Sequence, residues 1–100
     1  MTVTYLDAAE AEFEEAIQYY TDQRAGLGFE FSDEVKDAIT RIKNYPDAWT
    51  PLSKRTRRAQ VHRFPYSIVY ELRSVSIVIV AIQHYRRKPL NWRIRLRTSD

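Results

Sequence analysis

The sequence predicts an α+β domain, with an N-terminal strand and a two-helix antiparallel hairpin packed on a mainly antiparallel sheet. Three observations predict it. The first half holds two stretches whose apolar residues recur at helical spacing, one beginning near Asp7 and one near Phe29. The second half holds runs rich in β-branched and aromatic residues, Tyr66 to Leu72 and Val75 to Gln83, each of strand length. The helical patterns precede these strand runs instead of alternating with them, which separates an α+β layer from a parallel βαβ sheet.

Val3, Thr4, Tyr5 and Leu6 form a first short strand of good β-formers. Asp7 reads as the N-cap of the first helix, with Glu10 three positions on completing a capping box. Phe13, Ala16, Ile17 and Tyr20 then fall at i, i+3, i+4 and i+7, while Glu10, Glu14, Glu15 and Gln18 take the solvated face. Gly26 and Gly28 end this helix. The second helix is expected from Phe29 to Asn44, burying Phe31, Val35, Ala38, Ile39 and Ile42 and exposing Asp33, Lys36, Asp37 and Arg41. Pro46 prevents its continuation. So short a link makes the helices antiparallel neighbours.

Pro46 to Arg55 reads as an irregular loop containing Trp49 and Pro51. Arg57 to Phe64 alternates imperfectly, Pro65 marks a turn or bulge, and Ser74 lies in the tight turn before the last strand. Tyr66 and Tyr70 share the core face of their strand, with Val69 on the other. Tyr19, Tyr20, Phe29 and Phe31 read as core or staple residues of the hairpin. Trp92 either packs the chain's end on the sheet or anchors a partner. Arg93, Arg95 and Arg97 alternate in a tail that reads as a basic arm.

One hundred residues suit a single domain, 1–100. An apolar fraction of 44% is that of a folded chain. The absence of cysteine excludes disulfides, thiolate metal sites and a cysteine nucleophile. No leader-like segment opens the sequence, and the longest apolar run, Ile77 to Ile82, is too short for a bilayer. A cytoplasmic protein without a membrane partner is the expectation. Two histidines without clustered carboxylates, and no glycine-rich phosphate loop, lead us to expect neither metal nor cofactor.

The formal charge of +3 conceals a separation: residues 1–50 carry four basic and eleven acidic side chains, residues 51–100 twelve and two. Such asymmetry points to charged partners. Two basic runs carry it. Lys54, Arg55, Arg57 and Arg58 precede the sheet, and Arg86, Arg87 and Lys88 follow its last strand; both are candidate contacts for an anionic partner. Cations at an edge strand also discourage unwanted pairing, which is the other reading of the first run. Metal-free RNA cleavage needs a base, an acid and cations for the phosphorane, and His84, Arg87 and Arg63 are the candidates for that chemistry. The alternative for His84 is a structural histidine hydrogen-bonded to the turn after the last strand.

Four segments carry a resemblance: YYTDQRAGLGFEF, IKNYPDAW, RFPYSIVYEL and AIQHYRRKPLNW. In that order they resemble the RelE/ParE superfamily, the toxins of type II toxin–antitoxin pairs, over nearly the whole chain. The resemblance implies a small toxin held inactive by a cognate antitoxin in a toxin–antitoxin hetero-oligomer. Within the superfamily, RelE-like members cut messenger RNA on the ribosome and ParE-like members inhibit DNA gyrase. RelE-like chains commonly show a Tyr-Arg-x-x-Tyr pattern in the sheet, and here Ser67 stands in the arginine position between Tyr66 and Tyr70. They also tend to place a catalytic tyrosine beyond the last strand, where this chain has Asn91 and Trp92. The similarity is therefore closer to the ParE side and implies inhibition of gyrase by binding. The rivals are a RelE-like endoribonuclease built on His84 and Arg87, and an inactive relative that serves as a binding module.

Overall fold

The structure, a computed structural model, describes residues 1–86 and 92–97. Its elements run β1 (Thr2–Tyr5), α1 (Asp7–Gln23), α2 (Leu27–Asn44), β2 (Thr50–Pro51), β3 (Thr56–Gln60), β4 (Tyr66–Leu72), β5 (Ser76–His84) and α3 (Trp92–Arg97). The five strands form one sheet in the order β1-β5-β4-β3-β2. β1 lies parallel to β5, and every other pair is antiparallel. The predicted α+β architecture is therefore the observed one, with one parallel edge and a two-residue strand inside the stretch read as loop.

The helical periodicity is realised where it was strongest. Ala9, Ala16 and Tyr20 of α1 and Phe31, Val35, Ala38, Ile39 and Ile42 of α2 are buried against one sheet face. The starts of the helices differ from expectation. Leu6, not Asp7, is the N-cap of α1 and makes no side-chain capping bond; Asp7 and Glu10 lie inside the first turn, where negative charge favours the helix dipole. Gly26 alone serves the turn, with φ of 85°. Gly28 sits inside α2 because the hairpin is tight there: a Cβ would stand 2.0 Å from Thr21 Oγ1 and 2.8 Å from the Ile17 carbonyl oxygen. The four aromatics near the hairpin divide. Tyr20 and Phe31 are core, whereas Tyr19 and Phe29 are 56% and 80% exposed.

Phe31 is the centre of the core. Its ring stands 5.0 Å from Tyr20, 5.2 Å from Phe64 and 4.9 Å from Tyr66, mostly in edge-to-face arrangements that suit aromatic quadrupoles. On β4, Tyr66, Ile68 and Tyr70 face the helices and Val69 faces away. On β5 the alternation breaks. Val69 pairs with Ala81 and Tyr70 with Ile79, so Val80 is an extra residue, a β-bulge. The slip changes phase: Ile77 and Ile79 face the helices before it, Ile82 after it, and Val80 and Ala81 face the other side.

That second face is divided between a cover and an opening. Leu6, Leu52, Trp92 and Leu96 pack on Val69, Val80 and Ala81, so α3 is docked on this face. Beyond Tyr5, β1 no longer accompanies β5, and side chains take over its edge. Glu12 Oε1 accepts from the Ile82 N–H at 3.0 Å. Arg95 Nη1 donates to the Val80 carbonyl at 2.9 Å and to Glu12 Oε1 at 2.8 Å, and Arg95 Nη2 donates to Glu12 Oε2 at 3.0 Å. Arg95, read from sequence as part of a basic arm, is thus a clamp on the bulge. Trp92 packs the chain's end on the sheet, with Arg93 stacked over its ring at 4.6 Å.

The loop after α2 is tied down by Tyr70, whose hydroxyl donates to the Pro46 carbonyl at 2.7 Å. Burial pushes this phenol up to about 12, Arg57 opposing and Asp47 reinforcing the shift. An unfolded tyrosine ionises near pH 10. Folding therefore favours the neutral phenol, a contribution that is complete below pH 10 and lost as pH rises from 10 towards 12. Between those limits the wild type should lose roughly 2 kcal/mol more stability than Tyr70→Phe. Tyr5 and Tyr20, also pushed upward by burial, leave a residual slope in both proteins. Urea denaturation at a series of alkaline pH values checks this, and equal slopes for the two proteins would disprove it.

Candidate functional site

The uncovered part of the second sheet face is a cleft of about 600 Å³, lined by Trp49, Thr50, Arg58, Gln60, Ser67, Gln83, His84 and Tyr85. Strand register builds its floor. Gln60 pairs with Ser67 and Ser67 with Gln83, which makes a polar row across β3, β4 and β5. Arg58, two residues before Gln60 on β3, brings a cation to the same face. Tyr85 also lines the cleft, and the positive charge of Arg58 opposes the rise that burial imposes on its phenol. The cleft thus offers amides, hydroxyls, aromatic rings and a guanidinium, groups that bind, with His84 the one imidazole among them.

His84 ends β5 at the border of this cleft and of a smaller recess of about 280 Å³ formed with Tyr19, Tyr66 and Arg86. Its Nδ1 accepts the Arg86 backbone N–H at 3.0 Å, and its ring stands 5.2 Å from Tyr66, edge to face. The imidazole therefore does cap the turn after the last strand, which leaves Nε2 as the nitrogen not engaged there. Arg63 lines neither opening. Its guanidinium meets Glu30 at 2.8 Å and Glu34 at 3.6 Å on α2, and these carboxylates shift its pKa upward, the Glu30 hydrogen bond foremost. The structure accordingly does not assemble Arg63 with His84. Arg87 and Lys88 lie outside the described residues.

The first basic run is scattered by the strand that follows it. Lys54 and Arg55 are exposed ahead of β3, and Arg55 borders a separate shallow opening with Glu71, Leu72, Arg73 and Ser74. Arg57 turns to the helix side, donates to the Trp49 carbonyl at 2.8 Å and lies 4.0 Å from Asp47. Arg58 turns to the cleft. Four nearby cations in sequence thus serve three places, because successive residues of a strand point to opposite faces.

Sequence reading missed the polar row. Gln60 and Gln83 were not singled out, and Ser67 entered only as a departure from a motif. A signal was present: Ser67 and Gln83 interrupt apolar strands at positions that pair across the sheet. Only the register reveals that pairing.

Comparison with known proteins bears on most of the chain. Residues 3–89 match the family model described as the ParE toxin of type II toxin–antitoxin system, parDE. Toxin ParE2 of Mycobacterium tuberculosis, in strains CDC 1551 / Oshkosh and ATCC 25618 / H37Rv, is 30% identical over 84 residues, covering 83% of this chain and 80% of the relative. A solved structure, the chromosomal ParDE toxin–antitoxin system from P. aeruginosa, superimposes with a TM-score of 0.70 at 13% identity, covering 84% of this chain and 95% of that one. No helix among the described residues is long and apolar enough to cross a membrane. The strand, hairpin and sheet described above, together with a family match spanning residues 3–89, show that this chain belongs to the ParE toxin family of type II toxin–antitoxin systems.

Proposed function

We propose that this toxin arrests growth in the cytoplasm by binding DNA gyrase, and that a cognate antitoxin neutralises it by folding over its surface. The observation that carries the first part is the floor of the cleft. Where the RNA-cutting members of the superfamily commonly place an arginine, Ser67 lies between Gln60 and Gln83, and Arg58 is the sole arginine or lysine among the described lining residues. A neutral floor with one guanidinium stabilises a phosphorane poorly and suits recognition of a macromolecule better. The exposed cations Lys54, Arg55, Arg58 and Arg86 are the proposed contacts to an anionic partner surface, with Arg87 and Lys88 joined to them on sequence alone. Arg57, engaged with the Trp49 carbonyl, holds the loop instead.

An acidic antitoxin segment, disordered alone, fits the rest of the surface. Tyr19 and Phe29 leave exposed aromatic area on the helix hairpin, and the cations of the second half supply the charge it would meet.

The test is a supercoiling assay with purified gyrase, run beside a messenger RNA integrity assay. We expect the toxin to suppress supercoiled product and leave RNA intact, and equimolar antitoxin to restore supercoiling. Undisturbed supercoiling, together with RNA cleavage that disappears in His84→Ala, would replace this reading with the endoribonuclease one.

A further inference from the structure

A second cluster of side chains, on the helix side of the sheet, takes no part in the readings above. Glu34 and Asp37 stand three residues apart on α2 and so share one of its faces. His62, two residues beyond the end of β3, comes to the same place. One nitrogen of His62 and one carboxylate oxygen from each of Glu34 and Asp37 all lie within 4.8 Å of one another, with His62 and Asp37 exposed and Glu34 half-buried.

The backbone holds the imidazole there. Arg63, the next residue, is the one non-glycine residue with positive φ among the described residues, at 70°. A left-handed conformation costs a residue bearing Cβ about 1–2 kcal/mol. Here it is maintained by the ion pair of Arg63 with Glu30 at 2.8 Å and by its stacking on Phe64 at 5.5 Å. The chain between β3 and β4 is thereby fastened to α2, with His62 beside the two carboxylates.

We propose that Glu34, Asp37 and His62 form a surface site for a divalent transition-metal ion, with Zn²⁺ the best fit. One imidazole with two carboxylates is a zinc-type donor set, whereas Mg²⁺ and Ca²⁺ take all-oxygen shells. Zinc holds such donors at about 2.0–2.2 Å in a tetrahedron, which places them roughly 3.5 Å from one another. Rotamer changes of partly or fully exposed side chains close the remaining gap. Two carboxylates offset the charge of the ion. Each carboxylate also pairs with a guanidinium, Glu34 with Arg63 and Asp37 with Arg41, both at 3.6 Å, so the ion competes with two loose ion pairs instead of short hydrogen bonds. Three protein ligands leave a fourth position for water. Because the site joins α2 to the β3–β4 connection, bound metal stabilises the folded chain by mass action.

The experiment is calorimetric titration of the untagged, chelator-stripped chain with ZnCl₂ and, separately, MgCl₂, paired with thermal unfolding in each salt. We expect one equivalent of zinc, a raised Tm in zinc alone, and at least about tenfold weaker binding for His62→Ala and for Asp37→Asn, each checked as folded by circular dichroism. His84 is the only other histidine, so His84→Ala should bind zinc as the wild type does. Absence of saturable binding overturns the proposal. So does binding that survives His62→Ala, or that is lost with His84→Ala instead.

Discussion

Phe31→Ala is expected to cost about 3–5 kcal/mol, the usual range for removing a fully buried ring. The side chain is 0% exposed, and the rings of Tyr20, Phe64 and Tyr66, contributed by α1, the β3–β4 connection and β4, all stand within 5.2 Å of it. Three separate elements hold those rings in place, so the vacated space cannot collapse by moving one of them. Against a total stability of about 5–15 kcal/mol, the loss removes a large share of the folding free energy. In a 100-residue chain it lowers Tm by at least about 12 °C. Phe29→Ala is the matched control. It alters the same residue type two positions earlier, and at 80% exposure it should change stability by less than about 0.5 kcal/mol. Urea denaturation followed by circular dichroism measures both. A cost below about 1 kcal/mol for Phe31→Ala would mean that the aromatic cluster is not the core.

Glu12→Ala should cost about 3 kcal/mol, unusually large for a carboxylate on the outer part of a helix. One carboxylate serves three donors here: the Ile82 N–H and both terminal nitrogens of Arg95. Its removal leaves the Ile82 amide unpaired beside the bulge, at about 1–3 kcal/mol, and takes the counter-charge from a guanidinium that is 18% exposed. Glu12→Gln keeps one acceptor oxygen and should cost less than half as much. A double-mutant cycle with Arg95→Ala should give a coupling of about 1.5–3 kcal/mol. Hydrogen exchange at the Ile82 amide should accelerate in Glu12→Ala while the Ile79 amide, on the part of β5 paired with β1, stays protected. A coupling near zero would show that the Glu12–Arg95 pair does not help to hold α3 on the bulge.

These two residues mark how far the sequence could be read. Phe31 stood on a clear helical stripe, so its burial was predictable from periodicity. Phe29 was grouped with it because an aromatic residue near a helix start carries no mark of which way the first turn faces. Asp7 offered a capping pattern that a start one residue earlier, at Leu6, displaced. Gly28 was read as a stop signal, whereas the contact that requires glycine there is with Thr21 and Ile17 of the other helix. Each error concerns a neighbour that local sequence does not specify.

The candidate site divides in the same way. The two basic runs, His84 and the Ser67 substitution were legible in the chain, as was the ParE resemblance. The polar row of Gln60, Ser67 and Gln83 was not, nor the distribution of Lys54, Arg55, Arg57 and Arg58 over three places. By itself, then, the sequence determined the α+β class, the order of the principal helices and strands, the helix stripes and the family, because these rest on short-range periodicity and on residue identity. Only the tertiary structure decided where β5 slips, what its edge bonds to, and which side chains meet in the cleft. The run from Ile77 to Ile82 is apolar throughout and carries no phase, and Glu12 and Arg95 are 83 residues apart. Which of them meet depends on how strands and helices pack, and that arrangement is fixed by contacts no local pattern encodes.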